Sequence, residues 1–235
     1  MRVIAFVFAR GGSKGIPKKN LQLLDGKPLI AHSIECARSI SLVERIILST
    51  NDQEIADVAK SYGAEVPFMR PEYLALDSSS EYLAWKHAVQ EMLTRTGHFD
   101  IMLSLPATSP LRSVEDVSNC LNEAIEFPEA DAVITVQKAS RSPYFNMVKK
   151  DATGFFSPVI QSGVYIRRQD VPEVFDVTTV AYAVRPEFIL KSASLFEGMV
   201  RCVEVPAVRA IDIDEPLDLE FARFLVQKNK QDSQL

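Results

Sequence analysis

A basic, glycine-rich stretch close to the start of the chain has the residue types best suited to chemistry. Residues 9–20 read Ala-Arg-Gly-Gly-Ser-Lys-Gly-Ile-Pro-Lys-Lys-Asn and contain no carboxylate. Glycines such as Gly11 and Gly12 let backbone N–H groups approach an anion closely, and lysine and arginine side chains neutralise its charge. The cations of the stretch are Arg10, Lys14, Lys18 and Lys19. We interpret the stretch as a loop that holds a polyphosphate.

The spacing of the glycines narrows the kind of phosphate site. The loop has neither Gly-x-x-x-x-Gly-Lys-Ser/Thr nor Gly-x-Gly-x-x-Gly, which disfavours a P-loop kinase and a dinucleotide dehydrogenase. A mobile, solvated basic loop is the alternative interpretation. Two further stretches of the chain weigh against that alternative.

An acidic stretch near the end of the chain has the residue types that bind a metal ion. Residues 210–216 read Ala-Ile-Asp-Ile-Asp-Glu-Pro, and on an extended segment Asp212 and Asp214 point to the same face. Two adjacent carboxylates suit Mg²⁺ in a nucleotide site, where waters and phosphate oxygens complete the coordination. The alternative is that Asp214 caps a helix whose first turn contains Pro216. Capping leaves Asp212 unexplained.

A third stretch, residues 103–112, joins an apolar run to a turn of small residues. It reads Leu-Ser-Leu-Pro-Ala-Thr-Ser-Pro-Leu-Arg, so hydroxyls at Thr108 and Ser109 and the guanidinium of Arg112 follow a buried strand. At the carboxyl end of a sheet such groups can line a ligand pocket. The same residues also fit a strand-to-helix turn in which Ser113 caps the next helix.

Hydrophobic periodicity predicts an α/β fold that positions these stretches. Continuous apolar, β-branched runs alternate with longer segments of helical period. The predicted strands are Val3–Phe8, Arg45–Ser49, Ile101–Leu105 and Ala132–Val136. The predicted helices are Leu29–Ile40, Gln53–Tyr62, Glu81–Thr94 and Val114–Ala124. This alternation is typical of a mostly parallel sheet with helices on both faces, whose ligands gather at the carboxyl ends of the strands.

The regular alternation stops between residues 137 and 176. The segment contains prolines, aromatic residues and a charged run. We interpret residues 137–176 as an inserted arm that covers the pocket or packs on a second subunit, since its exposed aromatics need a burial site. The core then comprises residues 1–136 and 177–235. Within its second part we expect short strands near 179–184 and 201–205 and a helix over 216–226.

Composition excludes several kinds of partner. The chain has 235 residues and a formal net charge of -5, which disfavours a general nucleic-acid or anionic-membrane surface.

The cysteines and the first apolar run indicate the compartment. Cys36, Cys120 and Cys202 have no metal-ligand spacing, and their odd number cannot be paired fully within the chain. The apolar run Val3–Phe8 is too short for a signal-peptide core or a membrane span. We therefore expect a cytoplasmic protein.

Taken together, the three stretches resemble those of the cytidylyltransferases that activate nine-carbon 2-keto acids. This is the CMP-sialic acid (acylneuraminate) cytidylyltransferase family, with its legionaminic and pseudaminic acid relatives. Residues 9–20 are similar to its nucleotide loop, residues 108–112 to its central motif and residues 211–214 to its metal motif. The resemblance implies a Rossmann-like nucleotidyltransferase fold and a homodimer in which the arm is the dimerisation element.

The resemblance also implies a role for each matching residue. Around CTP it places Arg10, Gly11, Gly12, Ser13, Lys14, Lys19, Asn20 and Arg70. Arg10 and Lys19 would stabilise charge that develops on the phosphates, and Asp212 and Asp214 would bind Mg²⁺. At the sugar acid it places Thr108, Ser109, Tyr182 and, reaching across the dimer, Arg168 and Gln169. For Arg70 the alternative is a surface arginine ahead of a turn.

Two positions depart from the pattern of the sialic-acid enzymes. Pro106 stands where that family commonly has a glutamine, and a proline side chain has no hydrogen-bonding group. Asp176 stands where members often have an arginine that helps to hold the substrate. Both changes concern the sugar end of the site. We expect unchanged nucleotide chemistry and a preference for a legionaminic-type or otherwise modified nonulosonic acid.

The expected reaction is attack of the anomeric hydroxyl of a nonulosonic acid on the α-phosphorus of CTP, with pyrophosphate leaving. None of His32, His87 and His98 lies near the motifs, so no histidine is expected to act as a base. One alternative is a cytidylyltransferase for the eight-carbon acid Kdo, although that family has a different nucleotide loop. The other is a non-catalytic nucleotide-binding module, which would not need the pair Asp212 and Asp214.

Overall fold

The computed structural model describes residues 1–161, 167 and 170–232 of the chain. Its strands are β1 Val3–Phe8, β2 Leu23–Leu24, β3 Lys27–Pro28, β4 Val43–Ser49, β5 Ile101–Ser104, β6 Ala132–Lys138, β7 Val148–Lys150, β8 Phe156–Pro158, β9 Phe175–Val184 and β10 Val200–Glu204. Its helices are α1 Leu29–Arg38, α2 Gln53–Ser61, α3 Glu81–Thr96, α4 Val114–Glu126, α5 Pro186–Lys191 and α6 Pro216–Asp232. None of the helices in these ranges is long and apolar enough to cross a membrane.

The main sheet has the strand order β10-β6-β9-β5-β1-β4. β1 pairs in parallel with both β4 and β5, and β6 pairs in parallel with β10. β9 is different, because it runs antiparallel between β5 and β6. The expectation of a mostly parallel α/β sheet flanked by helices is therefore confirmed.

Both faces of the sheet are buried, which explains the continuous hydrophobicity of its strands. Alternate residues of β1 belong to two different core clusters. One cluster contains residues of α1, α2 and α4, and the other contains residues of α3 and α5. Phe6 is fully buried, and its truncation to alanine would cost about 3–5 kcal/mol of stability. This packing fixes the carboxyl end of β1, where the basic loop begins.

The last helix packs on the small hairpin formed by β2 and β3. Leu24 of the hairpin joins Ile213 and Leu219 in a third apolar cluster. α6 extends to Asp232, beyond the expected end at residue 226. The reason is tertiary contact, because Lys230 in its last turn forms an ion pair with Asp25 of the hairpin.

The predicted arm contains a separate two-stranded sheet, formed by β7 and β8. The pairing of β6 with β9 continues as far as Lys138 opposite Phe175, so both ends of the range 137–176 belong to the main sheet. Because β6 ends at the carboxyl edge of the sheet, the arm leaves the core at that same edge. Its aromatic residues Phe155 and Phe156 are 75% and 65% exposed.

Candidate active site

The three sequence motifs meet in one cleft at the carboxyl ends of β1 and β5. The cleft has a volume of about 380 Å³. It is lined by Phe8, Arg10, Ser13, Lys14, Gly15, Lys19, Asn20, Thr108, Asp214 and Glu215. A larger cavity of about 520 Å³ at the root of the arm includes Lys138 and Glu173, but none of the three motifs lines it. We therefore assign the chemistry to the smaller cleft.

Close contacts fix the shape of the basic loop. The buried amide of Asn20 donates to Arg10 O at 3.0 Å and so braces the loop from within. Gly15 packs so tightly on the acidic stretch that a Cβ there would lie 2.2 Å from Asp214 O. A larger residue would push the two motifs apart. By contrast, no described atom lies within 4 Å of the corresponding position at Gly12, so that side of the loop is open.

Three of the four cations of the loop, Arg10, Lys14 and Lys19, are paired with two carboxylates. Lys19 Nζ lies 2.8 Å from Asp214 Oδ1, and the Lys19 side chain is only 15% exposed. Arg10 and Lys14 both bind Asp77, at 2.6 Å and 2.8 Å. Hydrogen bonds from Lys14 and then Arg10 hold the pKa of Asp77 below its usual range. The convergence of two cations on one carboxylate shows that they can hold an anion at this point.

Asp212 carries an unsatisfied oxygen beside the cleft. Burial raises the pKa of Asp212, a hydrogen bond from Thr108 opposes that rise, and the charge of Asp214 adds to it. A hydrogen bond from Thr179 also lowers this pKa. Its Oδ1 is buried and has no hydrogen-bond partner among the described residues. Such an oxygen is costly to bury alone, so the environment of Asp212 favours a bound cation.

The acidic pair fits a metal ion that takes most of its ligands from elsewhere. The described ranges contain no cluster of three or more His, Cys, Asp or Glu side chains that could hold a metal. Mg²⁺ usually binds proteins through one or two carboxylates and keeps waters and phosphate oxygens as its other ligands. Asp212 and Asp214 match that donor set, and the unpartnered Oδ1 of Asp212 is the observation that favours the ion.

Hydrogen bonding does not support the helix-cap interpretation of Asp214. The Asp214 carboxylate binds Lys19 instead. At the start of α6, Asp218 Oδ2 accepts hydrogen bonds from Asp214 N at 3.0 Å and from Glu215 N at 2.7 Å. Asp218 therefore satisfies the first turn of the helix. The Asp214 side chain is 68% exposed, so one of its oxygens remains accessible to a ligand.

Arg112 holds the turn after β5 against strand β9. This buried guanidinium donates from Nη1 to Ser33 Oγ at 2.7 Å and from Nη2 to Thr179 O at 3.2 Å. Burial lowers the pKa of Arg112 to about 10. Ser109 is fully buried, and its hydroxyl pairs with that of Thr179 at 2.5 Å. Thr108 thus lines the cleft, whereas Ser109 supports the wall behind it.

Arg70 is buried beneath the cleft, so the alternative of a surface arginine is wrong. Its Nε and Nη2 atoms donate to Ser49 Oγ at 3.1 Å and to Ser49 O at 2.7 Å. The guanidinium lies 5.7 Å from the ring centroid of Phe8, which lines the cleft. Burial lowers the pKa of Arg70 to about 10. In this structure Arg70 supports the floor of the cleft through Phe8.

The residues predicted for the sugar acid lie in different places. Tyr182 of β9 pairs with Ser104 at the end of β5, and burial raises the pKa of its hydroxyl. Asp176 is exposed opposite Gln137, where the arm leaves the sheet. Arg168 and Gln169 lie outside the described residues. Tyr182 is therefore at the cleft end of the sheet, and Asp176 is at the root of the arm.

Sequence reasoning did not identify two contacts of the loop. Gly11 N donates to Asn51 Oδ1 at 3.0 Å. A signal for Asn51 existed, because polar residues directly follow the predicted strand that became β4 and belong at the carboxyl edge of the sheet. Asp77 lies in a serine-rich segment ahead of α3 and matches no chemical pattern, so its contacts with the loop appear only in the folded chain.

Comparison with known proteins identifies the family of this chain. A family model described as cytidylyltransferase matches residues 4–229. A Campylobacter coli protein named post-translational flagellin modification protein B is 32% identical, over 97% of this chain and 97% of its own length. A CMP-N,N'-diacetyllegionaminic acid synthase of Legionella pneumophila subsp. pneumophila is 31% identical, over 98% of this chain and 99% of that protein. The solved structure of a CMP:2-keto-3-deoxy-manno-octonic acid synthetase complexed with CTP shares the fold, with a TM-score of 0.72 and 21% identity over 97% of this chain and 100% of that chain.

Proposed function

This chain belongs to the cytidylyltransferase family and is a nucleotidyltransferase, and from that premise we propose that it transfers the CMP group of CTP to a nonulosonic acid. The observation that carries the proposal is the meeting of the loop cations with Asp214 and Thr108 in one cleft. The loop supplies positive charge for a triphosphate, and the acidic pair supplies the place for a metal ion. A module that only bound a nucleotide would not need that pair.

In the proposed reaction the anomeric hydroxyl oxygen of the sugar acid attacks the α-phosphorus of CTP. As the new O–P bond forms, the bond from the α-phosphorus to the oxygen that bridges to the β-phosphate breaks. Pyrophosphate leaves with that electron pair, and the hydroxyl proton is released to water. Such a displacement depends on positioning and on neutralisation of developing charge, which Arg10 and Lys19 supply. Lys14 contributes to the binding of the triphosphate.

We propose that Asp212 and Asp214 hold Mg²⁺ in this reaction. When bound, the ion would neutralise phosphate charge and lower the pKa of the attacking hydroxyl. Lys19 holds Asp214 against the basic loop at 2.8 Å, and Thr108 orients Asp212 through a hydrogen bond. These contacts support the proposal that the two carboxylates lie beside the place where the triphosphate would bind.

We propose a sugar acid of the legionaminic or otherwise modified type. The Legionella relative is named as a synthase of the CMP derivative of N,N'-diacetyllegionaminic acid. Pro106 and Asp176 also depart from the pattern of the sialic-acid enzymes at the sugar end. An aspartate that faces the sugar would repel a carboxylate and accept a hydrogen bond from a hydroxyl or an amide N–H.

We further propose a cytoplasmic homodimer in which the arm reaches the neighbouring subunit. The exposed rings of Phe155 and Phe156 need a burial site, which a second copy would provide. Asp176 lies at the root of the arm, so it would meet the sugar in the assembled dimer. Free thiols at Cys36, Cys120 and Cys202 are compatible with a reducing compartment.

A pyrophosphate-release assay with a panel of sugar acids tests this function. The panel comprises N,N'-diacetyllegionaminic, pseudaminic and N-acetylneuraminic acids and Kdo, each with CTP and Mg²⁺. We expect release with the nonulosonic acids, the highest kcat/KM with the legionaminic type, and loss of activity on chelation of the metal. Release with Kdo alone would favour the eight-carbon alternative. No release with any acid, in protein that still binds CTP, would favour a non-catalytic module.

A further inference from the structure

A carboxylate outside the three motifs lies beside the same cleft. Glu81 begins helix α3, and Trp85 Nε1 donates to Glu81 Oε1 at 3.3 Å. The buried Trp85 ring lies 6.2 Å from the ring of Phe8 and 5.3 Å from the ring of Tyr182. Phe8 lines the cleft, and Tyr182 lies at the cleft end of the sheet. Glu81 therefore contacts Trp85, and the two rings that pack on Trp85, those of Phe8 and Tyr182, border the proposed substrate site.

Charged groups of the site act on the carboxylate of Glu81. Glu81 is exposed to solvent, and partial loss of solvation of its carboxylate is the main cause that raises its pKa. Arg70 and Asp212 are close enough to act on this pKa in opposite directions, since Arg70 lowers it and Asp212 raises it. Arg70 lies beneath the cleft, where it contacts Phe8, and Asp212 lies beside it.

Helix capping does not account for Glu81. Ser80 already caps α3, because its hydroxyl accepts a hydrogen bond from Tyr82 N at 3.2 Å. Within the described part of the chain, the bond from Trp85 is the one hydrogen bond of the Glu81 side chain, so Oε2 has no protein donor. Because Glu81 is exposed, water can satisfy Oε2 in the free protein, and a donor group of a bound substrate can replace that water.

We propose that Glu81 is a specificity-determining residue that accepts a hydrogen bond from an N–H or O–H group of the bound substrate. This inference rests on the proposed function. The donor has two possible sources, which are the exocyclic amine of cytosine and a hydroxyl or amide N–H of the sugar acid. A carboxylate at this point rejects a group that presents only acceptors, such as the O4 carbonyl of uracil.

Glu81→Gln tests the proposal with little change in shape. The glutamine keeps an oxygen for Trp85 Nε1, loses the charge and adds a donor. Glu91→Gln is the matched control, because Glu91 lies on the same helix and pairs with Arg95 within that helix. For both variants and the unmodified protein, kcat/KM is measured for CTP and for UTP, and KM is measured for the sugar acid. Thermal unfolding checks that all three proteins are folded.

A cytosine donor predicts that Glu81→Gln lowers the preference for CTP over UTP about tenfold, while Glu91→Gln leaves it unchanged. A sugar donor predicts a rise of about tenfold in KM for the sugar acid with an unchanged preference for CTP. Either result supports the role of Glu81 and identifies the donor. Unchanged values for both, in folded protein, would overturn the proposal.

Failure of the proposed function would be visible separately, because the unmodified protein would then release no pyrophosphate with any acid of the panel. In that case calorimetric binding of CTP and UTP to the same three proteins still tests whether the cytosine amine is the donor. Equal CTP and UTP affinities in the unmodified protein and in Glu81→Gln would then overturn the inference about Glu81 as well.

Discussion

At the scale of single residues, the environment of Asp212 affects the stability of the fold. Its raised pKa means that the folded protein holds the Asp212 proton more tightly than the unfolded chain does. The stabilising contribution of protonated Asp212 is present below the unfolded pKa and is lost as the pH rises through the folded pKa. At neutral pH the charged form therefore lowers the free energy of unfolding. A bound cation would offset this loss of stability, because it would neutralise the buried charge of Asp212.

Asp212→Asn should raise Tm at neutral pH while reducing turnover by at least about 100-fold, since it removes a buried charge and a proposed metal ligand together. The gain in Tm should shrink as the pH is lowered to about 4, where the aspartate is increasingly protonated in both states. Thermal unfolding at several pH values, without Mg²⁺ or CTP, and pyrophosphate release provide the two readouts.

Asp214→Asn is the matched control for this experiment. Its carboxylate is largely exposed and paired with Lys19, so we expect a loss of turnover with a change in stability of only ~0–1 kcal/mol. A clear fall in Tm with unchanged turnover would show that Asp214 is a structural cap and not a metal ligand.

Residue types and spacing were sufficient to find the motif residues of the candidate site. They were not sufficient to find the residues that contact and orient those motif residues. Arg10, Lys19 and Asp214 lie within recognisable local patterns, and the structure brings them together. Thr179, whose hydroxyl acts on Asp212, lies in a strand of ordinary composition. Its role depends on the antiparallel insertion of β9 beside β5, which no local pattern indicates.

At the scale of elements, the proposed phosphate site predicts competition from the segment before α3. Asp77 of that segment pairs with Arg10 and Lys14, so a triphosphate that binds both cations would displace it. Exposed ion pairs contribute about 0.2–1 kcal/mol each, so loss of two such pairs in Asp77→Asn should strengthen CTP binding by about twofold to 30-fold. Calorimetric titration with CTP measures the change.

Asp57→Asn is a suitable control for Asp77→Asn, because Asp57 is an exposed aspartate of α2 whose ion pair is with Lys60. It should leave CTP binding unchanged. Weaker CTP binding in Asp77→Asn would contradict competition and would mean that Asp77 holds the two cations in position for the nucleotide.

Elements buried on both faces were the easiest to predict. The continuous apolar run of β1 has the boundaries expected from sequence. Helix starts with a polar cap were also predictable, since Ser113 caps α4 in a capping box with Asp116, as the turn chemistry indicated. The end of α6 was predicted too early, because its last turn is held by the ion pair of Lys230 with Asp25, on a distant hairpin. Contacts between distant parts of the chain leave no local signal.

At the scale of the whole molecule, the exposed aromatic residues of the arm predict dimerisation. Phe155→Asp combined with Phe156→Asp should give a monomer that still binds CTP but has a higher KM for the sugar acid, since a neighbouring arm would no longer complete the site. Light scattering and steady-state kinetics provide the readouts. Dilution of the unmodified protein should have the same effect on KM.

Phe224→Asp is the control for the position of the interface. Phe224 is 57% exposed on α6 and stacks on Phe221, so it tests an exposed aromatic surface outside the arm. We expect this variant to remain a dimer. An unmodified protein that is a fully active monomer, or a dimer broken by Phe224→Asp alone, would contradict an interface through the arm.

The position of bond cleavage in CTP tests the proposed reaction most directly. The protein would be incubated with Mg²⁺, its preferred sugar acid and CTP that carries ³²P in either the α- or the γ-phosphate, and the products would then be separated. The proposed reaction places the α-label in the sugar nucleotide and the γ-label in pyrophosphate. Transfer of the γ-label to the sugar, or a sugar that acquires neither label while CTP is bound, would contradict it.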